Sequence, residues 1–226
     1  MKVAIVHDSL NPCGGAERLA LYMAKALSEE GYAVDLIVLE PVDWDKVKGI
    51  FGENFREYLR KEVVLAPHIV FPTIYGRYVN WFFRDIVGFT TKLRRHYDIV
   101  IVTKQLHVPV LADILYIHFP DFYPGVEALY YPDRYVKNLF LRAYSLPNNL
   151  LSKLLLKLFK TLDYKPLILT NSLFSKAMIK RWLGLDSIVL YPPVDIEKYL
   201  PLSSNKNRKN IVITIGRIES SKNLHK

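Results

Sequence analysis

KVAIVHDSLNPCGGAERLALYMAKALSEEGYAVDLIVL, residues 2–39, is the stretch that decides the fold. Lys2–His7 is a short run rich in β-branched residues, Asp8–Gly15 is turn-forming, and Ala16–Glu30 carries helical spacing. Leu19, Met23, Ala26 and Leu27 fall on one face of that helix, and Gly31 stands where a C-terminal cap is expected. Ala33–Leu39 then reads as a second strand. A strand, helix and strand in so few residues predict a βαβ unit, with the second strand parallel to the first.

Working outward, further buried-type strands are predicted at Asp98–Val102, Ile114–His118, Leu167–Thr170 and Ser187–Leu190, with helical patterns between several of them. Strands that are apolar on both faces and alternate with helices predict an α/β fold: a doubly wound, Rossmann-like parallel sheet. No internal repeat is evident. The chain has 226 residues, half of them hydrophobic, enough for one well-packed domain with part of another. We place the first domain at 1–198 and an interdomain linker at 199–210, where SSNKNRK (203–209) has nothing apolar to bury. Residues 211–226 begin a second domain with a fresh strand, Ile211–Ile215.

Net charge is +9 with a pI near 9.4, so the surface attracts anions: nucleotide or polyprenyl phosphates, an acidic membrane face, or nucleic acid. The basic residues accompany no recognisable nucleic-acid reader motif, which argues against the last. A lone cysteine, Cys13, excludes an intramolecular disulfide and a Cys-rich zinc site, and suggests a reducing compartment. The opening residues are too short in apolar content for a signal peptide. The Leu-rich stretch Leu150–Leu162 is interrupted by Lys153, Lys157 and Lys160, so no run of ~20 apolar residues exists to cross a bilayer. Its leucines line one side and its lysines another. It reads as a helix packed on the sheet with lysines in water, or as one lying on anionic lipid. Tyr78, Trp81, Phe82 and Phe83 are a second such patch, equally explicable as core. Cytoplasmic residence, with peripheral attachment to the membrane face, is the expectation.

In open α/β sheets ligands bind beyond the carboxyl ends of the strands, and the first βα turn meets a helix N-terminus of partial positive charge. Gly14 and Gly15 remove side chains that would bar access to the backbone amides there, with Glu17 and Arg18 in the first helical turn. The spacing is neither G-x-G-x-x-G nor a P-loop, and a Gly-Gly pair also serves plain turns. His118 ends an apolar strand, where it serves either as a ligand-facing imidazole or as a backbone-satisfied core histidine. Asn171 and Ser172 follow a strand and precede a helix, the position of a cap. Cys13 is read as a small loop residue rather than a nucleophile. Asp8 and Asp121 are the nearest carboxylates, with no spacing that marks a glycosidase pair. No cluster has metal-ligand spacing, so neither metal nor cofactor is expected.

Four segments, residues 1–40, TNSLFSKAMIKRWLG (170–184), IVLYPPVDIEKY (188–199) and IVITIGRIESSKNLH (211–225), together resemble family 4 glycosyltransferases of the GT-B fold and stand in that family's order. The YIHFPD (116–121), TNS and YPPVD segments are most similar to mannosyltransferases acting on dolichol-linked oligosaccharides. The resemblance implies a metal-independent, retaining transfer from a nucleotide-diphosphate sugar, GDP-mannose favoured, to a lipid-linked or glycan acceptor. It implies that Gly14 and Gly15 lie against the donor diphosphate, their amides as donors, and that His118 lies against the donor sugar. Arg217 and Lys222 match the basic pair that holds the diphosphate as it leaves, the step at which its added negative charge needs fixed cations. Without the resemblance they read as solvated charges. Asn171 and Ser172 fall near the acceptor pocket.

The expectation is therefore the N-terminal, acceptor-side half of such an enzyme, inactive alone unless a second donor-binding domain is supplied in trans. The family's acidic E-x(7)-E segment and base pocket would lie beyond residue 226. Two other classes stand beside it: a non-catalytic membrane- or partner-binding module worked by the basic amphipathic stretch, and a dinucleotide-dependent oxidoreductase, which the missing G-x-G-x-x-G disfavours.

Overall fold

The structure is a computed structural model and describes residues 1–65, 94–103, 112–119, 157, 161, 165–196 and 210–212. The amphipathic stretch at 150–162 apart from Lys157 and Thr161, the aromatic patch at 78–83, Asp121, the linker at 199–209, and Arg217 and Lys222 lie outside those residues.

Seven parallel strands form one sheet. They are β1 (Lys2–Val6), β2 (Ala33–Val38), β3 (Lys61–Val64), β4 (Ile99–Val102), β5 (Ile114–Ile117), β6 (Leu167–Thr170) and β7 (Ile188–Val189). Among the described residues the helices are α1 (Gly15–Glu29), α2 (Trp44–Phe51) and α3 (Leu173–Leu183), with short 3-10 turns at Phe55–Tyr58 and Arg94–His96. Strand order is β3-β2-β1-β4-β5-β6-β7. The chain thus builds outward from β1 to one edge, returns to β4 and builds to the other. That reversal sends the two sets of crossovers to opposite faces of the sheet, the α/β, doubly wound, Rossmann-like arrangement.

The alternation along β1 shows why the strands are apolar throughout. Val3 and Ile5 join Ala20, Leu21 and Ala24 of α1, with Leu36 and Phe55, in one core cluster. Ala4 and Val6 point the other way, into a second cluster with Val100, Leu115, Ile168, and Ile179 and Leu183 of α3. A period-two strand with both faces covered leaves no position for a polar residue unless it is paired.

One such residue is Asp35, in the middle of β2 with a side chain 0% exposed. Arg60 grips it with Nε at 2.8 Å and Nη2 at 2.5 Å, and the Tyr97 hydroxyl donates to it at 2.9 Å. Burial, with the Asp35 hydrogen bond next, raises the Tyr97 phenol well above its ordinary range. Arg60 precedes β3 and Tyr97 precedes β4, so this cluster closes the amino edge of the sheet. The carboxyl edge is the one left for function. Among the described residues, no helix is long and apolar enough to cross a membrane.

Segments that gave no clear pattern in sequence complete the βαβ order. Asp43 caps α2 by accepting from the Lys46 amide at 3.0 Å, and Gly52 ends it at φ 77°. Glu62 of β3 accepts from Trp44 Nε1 at 2.8 Å and from the Val42 amide at 3.0 Å, which fastens α2 to the sheet edge.

Candidate functional site

β1 and β4 are neighbours in the sheet although β2 and β3 lie between them in sequence, so the crevice of the doubly wound sheet opens at their carboxyl ends. His7 follows β1, Thr103 follows β4 and His118 follows β5. These three residues are bonded in a row. The Thr103 hydroxyl donates to the Val6 carbonyl at 3.2 Å, so its oxygen accepts from His7 Nδ1, 2.8 Å away. The Thr103 carbonyl accepts from His118 Nε2 at 3.1 Å, so that ring nitrogen carries a proton. His118 is half-buried and packs its ring 4.9 Å from that of Tyr116.

On its other side His7 meets the loop between β1 and α1. His7 Nε2 lies 3.4 Å from Glu17 Oε1, the two side chains being 0% and 6% exposed. Glu17 Oε2 accepts from the Gly14 amide at 2.7 Å. This is half of a capping box: Glu17 at the third helical position reaches back to the residue that starts α1. Gly14 has φ −94°, an extended conformation open to any residue. A Cβ at Gly14 would stand 2.8 Å from Glu17 Oε2, so the carboxylate would have to shift to admit one. Gly15 differs: a Cβ there meets nothing within 4 Å, so its exposed side faces open space.

The rest of the loop is held from below and from the side. Leu10 is fully buried, and Cys13, at φ 50°, donates its amide to the Leu10 carbonyl at 3.1 Å. Burial raises the Cys13 thiol pKa, which disfavours the thiolate a nucleophile would need. Asn11 receives the Asp43 amide at 2.8 Å and donates to the Pro41 carbonyl at 3.0 Å, and Ser9 donates to Glu40. The loop after β1 is thus strapped to the loop after β2.

On the far side of His118 the network continues into α3. The Ser175 hydroxyl donates to the His118 carbonyl at 2.8 Å, and Ser172 caps α3 by accepting the Ser175 amide at 3.1 Å. Ser172 Oγ donates to Asn171 Oδ1 at 3.0 Å. Ser172 is therefore the N-cap of α3, as its position between strand and helix predicts. Phe119 stacks on Phe174 with centroids 6.2 Å apart, and Leu173 and Phe174 stay 67% and 55% exposed beside it.

Gly14, Gly15, His118, Asn171 and Ser172 are brought together along one edge, linked through Glu17, His7, Thr103 and Ser175. The four linking residues were not nominated from sequence. His7 and Thr103 each end an apolar strand run, which is the signal that would have found them. Arg217 and Lys222 fall outside the described residues, and among those that are described no group of acids, histidines and cysteine stands close enough to hold a metal ion. No protein-family model and no curated protein matches the chain, so the functional reading rests on the sheet topology and the residues at its carboxyl edge.

Proposed function

We propose that the chain is the acceptor-side half of a retaining glycosyltransferase that moves a sugar, mannose favoured, from a nucleotide diphosphate to a lipid-linked or glycan acceptor. The observation that carries this reading is the hydrogen-bonded row from Gly14 to His118 at the crevice where a doubly wound sheet takes its ligands. His118, with Nε2–H fixed on the Thr103 carbonyl, is the residue that faces the donor sugar. Asn171 and Ser172 border the acceptor, and the exposed Leu173 and Phe174 beside them suit the apolar part of a lipid-linked one. Arg217 and Lys222 supply the cations for the departing diphosphate, together with a second, donor-binding domain. The order of the four sequence segments that resemble family 4 glycosyltransferases supports the same assignment.

Transfer is measured with radiolabelled GDP-mannose and a short-chain lipid-linked glycan, using the chain joined to or mixed with a donor-binding domain of the resembled family. Label passes to the acceptor, and His118→Ala reduces the rate by about 10²-fold or more while the fold is kept. Absence of transfer from any nucleotide sugar, together with protection of the chain by NAD in a thermal melt, would replace this reading with the oxidoreductase one.

A further inference from the structure

Exposed apolar side chains gather at one corner of the sheet. Strands β5, β6 and β7 are adjacent, and each is followed at the carboxyl edge by aromatic or aliphatic residues. Phe119 follows β5, Leu173 and Phe174 follow β6, and Leu190 and Tyr191 follow β7. Leu173 and Phe174 are 67% and 55% exposed, Leu190 and Tyr191 44% and 64%. The parallel register sets Thr170 against Val189, so Leu190 and Tyr191 run on beside Asn171 and Ser172, where α3 begins. Phe119 stacks on Phe174 there. An apolar rim drawn from three neighbouring strand ends marks an interaction surface, whereas single exposed hydrophobics do not.

Charge decides what the rim meets. Because β6 and β7 are parallel, α3 runs back from this edge toward the amino edge. Its outer face carries Lys176, Lys180 and Arg181, all exposed, and the helix contains no acid. At a rise of about 1.5 Å per residue these cations stand roughly 4 to 12 Å behind Leu173. Asp186, in the loop after α3, takes Lys180 at 2.8 Å, so the face stays positive on balance. An apolar wedge with cations a headgroup's depth behind it suits the boundary of an anionic bilayer, into which such surfaces sink ~5–10 Å. A second copy of the chain would bring the same positive face and be repelled.

We propose that this rim docks on an anionic membrane, with Leu173, Phe174 and Tyr191 in the headgroup boundary and Lys176, Lys180 and Arg181 at the level of the lipid phosphates. His118 and Asn171 share the same edge, which deepens the glycosyltransferase reading by naming the surface on which a lipid-linked acceptor arrives. Only that link to an acceptor rests on the reading. The docking itself is tested without any sugar nucleotide.

The full chain is floated at about 0.1 M salt with vesicles of mixed phosphatidylcholine and phosphatidylglycerol, and with vesicles of phosphatidylcholine alone. It is recovered with the anionic vesicles and not with the neutral ones. Removing Lys176 and Arg181 as K176Q and R181Q weakens partitioning about fivefold for each cation. Leu173→Ser, at a side chain outside both core clusters, weakens it about tenfold and leaves the melting temperature unchanged. Ile50→Ser alters a comparably exposed residue of α2, beside the opposite edge of the sheet, and changes nothing. Equal recovery with neutral vesicles, no recovery with anionic ones, or α3 variants that partition as wild type does overturn the proposal. Sedimentation showing a dimer that Leu173→Ser dissociates overturns it in favour of a second copy. Should the double cation variant fail to fold, Leu173→Ser and salt decide: binding that persists undiminished at about 0.5 M salt overturns it. Transfer from GDP-mannose to a water-soluble acceptor, with a donor-binding domain supplied and no vesicles present, tests the glycosyltransferase reading separately.

Discussion

Asp35→Ala tests whether the amino-edge cluster is worth what its geometry implies, and Tyr97→Phe in the same background gives the test a sign. Asp35 is wholly buried, and its loss leaves the buried Tyr97 hydroxyl without the carboxylate that accepts from it at 2.9 Å. Losing a hydrogen bond to a buried carboxylate costs about 1.5–3 kcal/mol, and Arg60, with a side chain 43% exposed, turns to water instead of being stranded. The expected loss for Asp35→Ala is therefore about 2–3 kcal/mol, or roughly 5–10 °C in Tm for a chain of this size. In wild type, Tyr97→Phe removes a hydrogen bond to a charged group and destabilises by about 1.5–3 kcal/mol. In Asp35→Ala that bond is already gone, so the same substitution costs less. Urea unfolding of the four proteins closes the cycle, with a coupling of about 1–3 kcal/mol. If Tyr97→Phe costs the same in both backgrounds, the bond contributes nothing and the account of the amino edge is wrong.

Two further outcomes follow from single groups. Burial pushes the Tyr116 phenol from 10.0 up to about 12, so the folded state keeps a proton that the unfolded chain releases. That contribution is complete below pH 10 and is lost between pH 10 and 12, at about 1.4 kcal/mol per pH unit. Urea midpoints falling over that window, and falling less in Tyr116→Phe, are the expected result. A flat midpoint refutes it. Ser172→Ala removes the N-cap of α3 and lowers stability by about 1 kcal/mol, whereas Ser172→Asp keeps most of it, as thermal melts will show.

The parts of the fold legible in sequence are those whose cause is local. β1, α1 and β2 follow from strand and helix periods within forty residues, and their observed ends lie within a residue or so of those expected. His7 was read as the last residue of β1; the regular strand stops at Val6, although the His7 amide still bonds the Ile37 carbonyl at 3.0 Å. α2 and β3 escape a sequence reading because both are short and mix polar with apolar residues without a clean period, and they are fixed by contacts such as Glu62 to Trp44 rather than by pattern. The site divides in the same way. Gly14, Gly15 and Ser172 declare themselves by turn and cap chemistry. The bonds that unite them do not, since His7 and Thr103 lie 96 residues apart and Ser175 and His118 lie 57 apart. Glu17 was within reach of a local reading, because an acid three residues after a helix start is half of a capping signature even when glycine replaces the serine.

The contact between Gly14 and Glu17 also makes one position's history depend on the other's. Nothing in the backbone at 14 forbids a side chain, but alanine there would displace the carboxylate that reaches back from 17. The order of substitution then matters. A shorter residue at 17 frees position 14 to vary, whereas a change at 14 made first must push aside an acid that His7 is holding in place. A side chain at 14 is therefore expected to cost less stability beside a short residue at 17 than beside glutamate.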